Sequence, residues 1–146
     1  MSRAGELLLK RNNENAIKKI ADGLSCSEFI SFEDIESLDF LPAKLSISHS
    51  RNTAPDSCIE ITKNSELIRL WMRSCLSKSN IQNEALICLG DVNTPIWFIL
   101  RFSDFEDAIL ELWGRSASKE LLILSKENKE LLVFCNEEYQ YTFNII

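Results

Sequence analysis

Residues 121–145 read LLILSKENKELLVFCNEEYQYTFNI, and the fold turns on this stretch. Leu121 to Ser125, Leu131 to Cys135 and Tyr139 to Ile145 are runs of apolar, β-branched and aromatic residues, as strands require. The spacers between them, Lys126-Glu127-Asn128-Lys129 and Asn136-Glu137-Glu138, are polar turn formers too short to hold a crossover helix. Three strands joined this tightly make an antiparallel meander. Upstream, Ser103-Asp104-Phe105-Glu106 has the pattern of a capping box, and Phe105, Ala108, Ile109, Leu112 and Trp113 share one face of a helix over 104–113 that Gly114 should end. Ala85 to Leu89 and Ile96 to Arg101 read as strands on either side of Gly90-Asp91-Val92-Asn93-Thr94-Pro95, a set of turn formers. The second of these strands is apolar on both faces, which places it inside a sheet.

The N-terminal half extends the pattern. Asn64 can cap a helix running to about Ser77, with Leu67, Ile68, Trp71, Met72, Cys75 and Leu76 on its apolar side. Residues 44–49 and 58–62 alternate through Leu45 and Ile47 and through Ile59 and Ile61, predicting two strands linked by a polar loop around Pro55. Ser31-Phe32-Glu33-Asp34 resembles a capped helix start, after which Ile35, Leu38 and Leu41 keep helical spacing until Pro42 closes the segment. A first helix covers much of 6–22 on the spacing of Leu9, Ala16, Ile17, Ile20 and Ala21, with Asn12-Asn13 as a candidate break and Gly23 as the stop. This order does not alternate strand and helix as a doubly wound parallel sheet does. The expected class is α+β: one domain over 1–146, a mainly antiparallel sheet with a C-terminal three-stranded meander, and helices packed mainly on one face.

Composition limits the function. At 146 residues and 16.7 kDa, with 45% hydrophobic and 26% charged residues, the chain can bury a core and lacks the signature of disorder. The longest apolar runs, Ile96 to Leu100 and Leu121 to Leu124, fall far short of the roughly 20 residues of a membrane-spanning helix. Leu7-Leu8-Leu9, between Glu6 and Lys10-Arg11, is too short and too charged for a secretory signal, so a cytoplasmic location is expected. Cys26, Cys58, Cys75, Cys88 and Cys135 are widely spaced, with no C-x-x-C pair, and read as buried free thiols of a reducing compartment.

The materials for catalysis are few. Phosphate-cradling glycine loops and the G-x-S-x-G elbow are missing from the sequence, and a nucleophilic triad would have to draw on His49, the only histidine, read here as a strand-end residue. Asp34, Asp91 and Glu60 could act as a carboxylate pair, but no spacing singles one out. We therefore expect no enzyme activity, no cofactor and no metal. A formal charge of -6 and a pI near 4.9 oppose nucleic-acid binding. The basic residues Arg3, Lys10, Arg11, Lys18 and Lys19 on the first helix, and Lys63, Arg69, Arg73 and Lys78 on the third, read as solvated helix faces.

The acids are less evenly spread. Glu28, Glu33, Asp34, Glu36 and Asp39 follow one another without a lysine or arginine, as do Asp104, Glu106, Asp107 and Glu111. Asp104, Asp107 and Glu111 are spaced by three and four and form one helical stripe. The helix dipole accounts for acids in the first turn but not for Glu111. A field of this sign suits docking of a basic partner, and Glu33, Asp34, Glu36, Asp104, Asp107 and Glu111 are the candidate partner-binding residues.

In size, acidity and the layout of strand, capped helix and meander from Ile96 onward, the chain resembles the immunity proteins of bacterial contact-dependent inhibition and other polymorphic toxin systems. The resemblance implies that it binds a cognate toxin domain, often a basic nuclease, and neutralises it as a monomer or a 1:1 heterodimer. The net charge and the short apolar runs, for their part, predict no nucleic-acid or membrane partner. Two other readings stand beside the resemblance: a type III secretion-like chaperone or adaptor for an effector, and an enzyme using scattered carboxylates. Trp71, Trp97, Trp113, Tyr139 and Tyr141 are the aromatic residues from which interface anchors would be drawn.

Overall fold

The structure, a computed structural model, describes residues 2–48 and 54–146. In chain order its elements are α1 (Arg3–Ala21), β1 (Ser27–Glu33), α2 (Leu41–Ser48), β2 (Ser57–Glu60), α3 (Ser65–Leu76), β3 (Glu84–Leu89), β4 (Trp97–Phe102), α4 (Phe105–Arg115), β5 (Leu121–Leu124), β6 (Leu131–Asn136) and β7 (Gln140–Ile145). The seven strands form one sheet in the order β1-β4-β3-β5-β6-β7-β2, and every neighbouring pair is antiparallel. The C-terminal meander is present as β5, β6 and β7, and the class is α+β.

Pleat alternation assigns each strand residue to a layer. Ala85, Ile87 and Leu89 of β3 and Phe98, Leu100 and Phe102 of β4 pack with Ile17 of α1, Met72 and Leu76 of α3 and Ile109 and Leu112 of α4. The alternate residues, Leu86, Cys88, Trp97, Leu124, Leu131 and Val133, pack under Leu41 of α2 and, before it, Ile35, Leu38 and Phe40. Three helices thus cover one face, and α2 with its approach segment covers the other. This two-sided burial is why β3 and β4 are almost wholly apolar, each fully buried aliphatic or aromatic side chain contributing about 1.5–3 kcal/mol.

The caps explain the helix boundaries. Asn64 Oδ1 accepts the Leu67 N–H at 2.9 Å and starts α3, whose buried Ile68, Met72, Cys75 and Leu76 follow the helical period. On α4 the cap is Asp104, accepting the Asp107 N–H at 2.9 Å, one residue later than the Ser103 box predicted. Gly114 does not end α4 either: the helix runs on to Arg115 with Ser116 as its C-cap. Its last carbonyls are satisfied otherwise, because Lys119 Nζ donates to Trp113 O at 2.8 Å and Gly114 O at 3.2 Å, so no left-handed glycine is needed. α1 is continuous through Asn12-Asn13, where the asparagines cost only tenths of a kcal/mol each, and Gly23 follows its end at φ +66°.

Two predicted elements change type. The helix predicted from Ser31 to Leu41 is the end of β1 followed by turns. The spacing of Ile35, Leu38 and Leu41 comes from two successive tight turns, in which the Leu38 N–H donates to Ile35 O at 3.0 Å and the Leu41 N–H to Leu38 O at 3.2 Å. Ahead of them the register of β1 shifts between Phe29 and Ser31, and the extra residue, Ile30, lets Phe29 and Phe32 both face the helix layer opposite Leu100 and Phe98. The strand predicted over 44–49 is helix α2, at least through Ser48; residue 49 lies outside the described residues. Pro42 occupies the first helical turn, where its missing N–H costs nothing, so it opens a helix where it was expected to close one. Leu41 and Leu45 then share the inward face, while Ile47, half of the alternation that suggested a strand, is 48% exposed.

Candidate functional site

At the end of β1 the chain leaves the sheet through an acidic turn. Glu33 lies opposite Trp97 of β4 and accepts the Ser31 hydroxyl at 3.0 Å, and Asp34 accepts the Glu36 N–H at 3.0 Å, fixing the turn. These residues line a groove of about 580 Å³ together with Phe32 and Ile35, Pro95, Ile96 and Trp97 at the start of β4, and Lys10 and Glu14 of α1. Four carboxylates, Glu14, Glu33, Asp34 and Glu36, thus line the groove with one ammonium, Lys10, among the apolar residues Phe32, Ile35, Pro95, Ile96 and Trp97. None of the four carboxylates forms an ion pair among the described residues. The fold therefore brings together Glu33, Asp34 and Glu36 and adds Glu14, which sequence reasoning missed. Lys10 and Glu14 are four apart on α1, but nothing local indicates which way that side of the helix turns.

The second acidic segment is arranged differently. Asp104 is the α4 cap, Asp107 is paired with Arg73 of α3, and Glu106 lies 3.6 Å from the same guanidinium. The Asp107 bond raises the Arg73 pKa against a smaller opposing effect of burial, with further support from the charges of Asp107, Glu106 and Asp104. Glu111 accepts the Ser25 N–H at 2.7 Å and the Ser25 hydroxyl at 3.0 Å, tying α4 to the segment after α1. The Asp104, Asp107 and Glu111 stripe, expected to meet a basic partner, is thus engaged by the chain's own groups. Partners 34 and 86 residues away could not be read from local spacing.

The hydroxyls and carboxylate that converge most closely are at Asp91, between β3 and β4. Asp91 accepts Ser116 Oγ at 2.6 Å, Ser118 Oγ at 2.6 Å and the Ala117 N–H at 2.7 Å. Burial alone would raise its pKa, but the Ser116 and Ser118 hydroxyls and the Ala117 and Ser118 N–H groups outweigh it, leaving the carboxyl below its ordinary value. Beside it, burial lowers the Lys119 pKa more than the charge of Asp91 raises it, and the ammonium sits 4.6 Å from the Trp113 ring centroid. The Asp91 carboxylate thus clasps the β3–β4 connection to the α4–β5 connection, while Lys119 Nζ holds the last carbonyls of α4. Asp34 and Glu60, the other acids considered for carboxylate chemistry, stand at the β1 exit and on edge strand β2.

Of the cysteines, Cys75 and Cys88 are buried and burial raises both thiols to about 11, while Cys26 and Cys135 are half-buried. Cys58 is exposed, contrary to the expectation of a buried thiol, because β2 is an edge strand whose alternate residues face solvent. No cluster of three or more metal-ligating side chains occurs among the described residues, and His49 lies outside them. No helix among the described residues is long and apolar enough to cross a membrane. The aromatic residues divide clearly: Trp97 is buried, Trp71 packs on Phe134 and donates to Ser57 Oγ at 2.8 Å, Trp113 packs on Tyr141, and Tyr139 is 76% exposed. No known protein family, curated protein or solved structure matches the chain.

Proposed function

We propose that the chain is a protein-binding module that captures a basic polypeptide in the groove rimmed by Glu33, Asp34 and Glu36, acting as an immunity protein that neutralises a toxin domain. The observation that carries this reading is the charge imbalance of the groove, four carboxylates to one ammonium. Opposite charge steers encounter, and the partly exposed Phe32, Ile35 and Ile96 in the same lining offer apolar contact to a bound partner. The α4 acids contribute less to this reading, since Asp104, Asp107 and Glu111 already serve the fold, and replacing them would test stability together with binding. Glu33, Asp34 and Glu36 make only local hydrogen bonds, and losing the Asp34 turn bond and the Glu33–Ser31 bond should cost about 0.5–1.5 kcal/mol each.

A toxin partner would be a growth-arresting polypeptide encoded beside this chain, and co-expression should relieve the arrest. Replacing Glu33, Asp34 and Glu36 together by lysine should weaken binding at least tenfold, about 1.4 kcal/mol or more, while Asp34→Ala alone, which loses the turn bond and adds no positive charge, should weaken it less. Full affinity in that triple variant would remove the groove from the interaction. A partner that binds only when unfolded would turn the reading toward the chaperone or adaptor class, and turnover of a small molecule by the isolated chain toward an enzyme.

A further inference from the structure

The N-terminal half of α1 lies beside the start of β4 without closing on it. Ile17 and Ala21 are buried in the helix layer, and Glu6, Leu9, Lys10 and Asn13 continue the same side of the helix toward its N-terminus, at spacings of three and four. None of these four is buried, and Leu9 is 43% exposed. Lys10 and Asn13 stand where a fully packed helix would carry apolar side chains, so this half of α1 stays clear of the β3–β4 connection. The space left between them is a slot of about 300 Å³, bounded on the far side by Thr94, Pro95 and Ile96. It continues the acidic groove, because Lys10, Pro95 and Ile96 line both.

We infer that this slot receives an aromatic side chain of the same basic polypeptide that the acidic groove captures, so that the recognised segment is an aromatic residue flanked by lysines or arginines. The inference rests on the groove being the site of that polypeptide. Charge decides what can carry the inserted side chain. Glu6 of the slot joins Glu14, Glu33, Asp34 and Glu36 of the groove, and Lys10 is the one cation lining either. A field of this sign favours a segment with cations on both sides of the anchor and rejects an acidic one. The walls decide what the anchor is. Leu9, Pro95 and Ile96 offer apolar surface that the chain itself leaves partly exposed, and covering it removes that surface from water. Asn13, the half-buried polar side chain of the lining, suits a ring with a polar edge, such as an indole, better than an aliphatic side chain. An aromatic anchor seated in a pocket beside a charged rim is also the arrangement in which few residues supply most of the binding energy.

The test uses the full isotope-labelled chain and two synthetic peptides, KKWKK and KKGKK, which differ only in the central side chain. Titration followed by backbone amide shifts should move Glu33, Asp34 and Glu36 with either peptide, and Leu9, Asn13 and Thr94 with KKWKK alone. The tryptophan peptide should bind at least about fivefold tighter, with both Kd values on the order of 0.1–5 mM for ligands this small. Leu9→Gln puts an uncharged, good helix former at an exposed position, so the fold should be kept; the tryptophan advantage should fall below about twofold while KKGKK binds as before. Equal affinity of the two peptides, or an advantage that survives Leu9→Gln, would overturn the slot and leave the groove standing. Binding of neither peptide, or binding of both undiminished when Glu33, Asp34 and Glu36 are all replaced by lysine, would remove the groove and the slot with it. Shifts confined to the slot on adding KKWKK would overturn the inference in favour of a free apolar ligand.

Discussion

Asp91→Ala removes one carboxylate that holds two loops together. Its three bonds, at 2.6, 2.6 and 2.7 Å, tie the β3–β4 connection to the α4–β5 connection. Charge-assisted hydrogen bonds contribute about 1.5–3 kcal/mol each, but three bonds to one carboxylate are not additive, and the partial exposure of Asp91 screens them. Ser116 is 2% exposed and would retain only a Ser118 hydroxyl at 3.2 Å as a side-chain partner, apart from the Lys119 N–H that donates to it at 3.1 Å. The net loss should be about 2–4 kcal/mol, a large share of the roughly 5–15 kcal/mol that stabilises a domain of this size. Urea unfolding at pH 7 should show a lower midpoint with an unchanged slope. Because the folded Asp91 pKa lies below its unfolded value of about 3.9, its contribution is fully present above that value and is lost as pH falls through the folded pKa. The gap between wild type and variant should therefore stay constant from about pH 5 to 8 and narrow below about pH 4. A gap under about 1 kcal/mol at pH 7, or one that widens on acidification, would refute the assignment of Asp91 as an ionised clasp.

Two further outcomes follow from the same packing. Gly114→Ala should stabilise the chain by about 0.5–1 kcal/mol, because Gly114 lies inside α4 with open space where the added methyl would sit, whereas Gly23→Ala should cost about 1 kcal/mol because its φ is +66°; thermal melts of the two variants should move in opposite directions, and a loss at Gly114 would contradict its place in the helix. Iodoacetamide at pH 8, followed by mass spectrometry, should modify exposed Cys58 well before buried Cys75 and Cys88, whose thiols are raised to about 11. Equal rates at the three sites in the native chain would show that the sheet and α3 open more readily than their burial implies.

The candidate site was legible in part. The acidity of Glu33, Asp34 and Glu36 is visible in the sequence, and their proximity follows from adjacency along the chain. Pro95, Ile96 and Trp97 come from the start of β4 and Lys10 and Glu14 from α1, elements more than ten residues distant in either direction, and only the tertiary fold brings them to the end of β1. For Asp104, Asp107 and Glu111 the stripe is real as spacing on α4, yet spacing is silent about Arg73 on a neighbouring helix and Ser25 beyond α1.

By itself the sequence determined the elements whose apolar period is long and whose neighbourhood is marked by caps or turns: α3 from Asn64, α4 to within a residue or two at each end, the β3 and β4 strands, and the meander over 121–145. These are local decisions, because hydrogen bonds and side-chain periodicity within a dozen residues settle them. β1 and α2 were decided elsewhere. A strand carrying a bulge shows a spacing of three between Phe29 and Phe32, and only its pairing with β4 turns that spacing into one buried face. A helix opening on Pro42, with Leu41 and Leu45 inward, declares itself only where the second face of the sheet is there to be covered. Short segments have too few local bonds to select their own conformation, so burial against the rest of the molecule selects it for them.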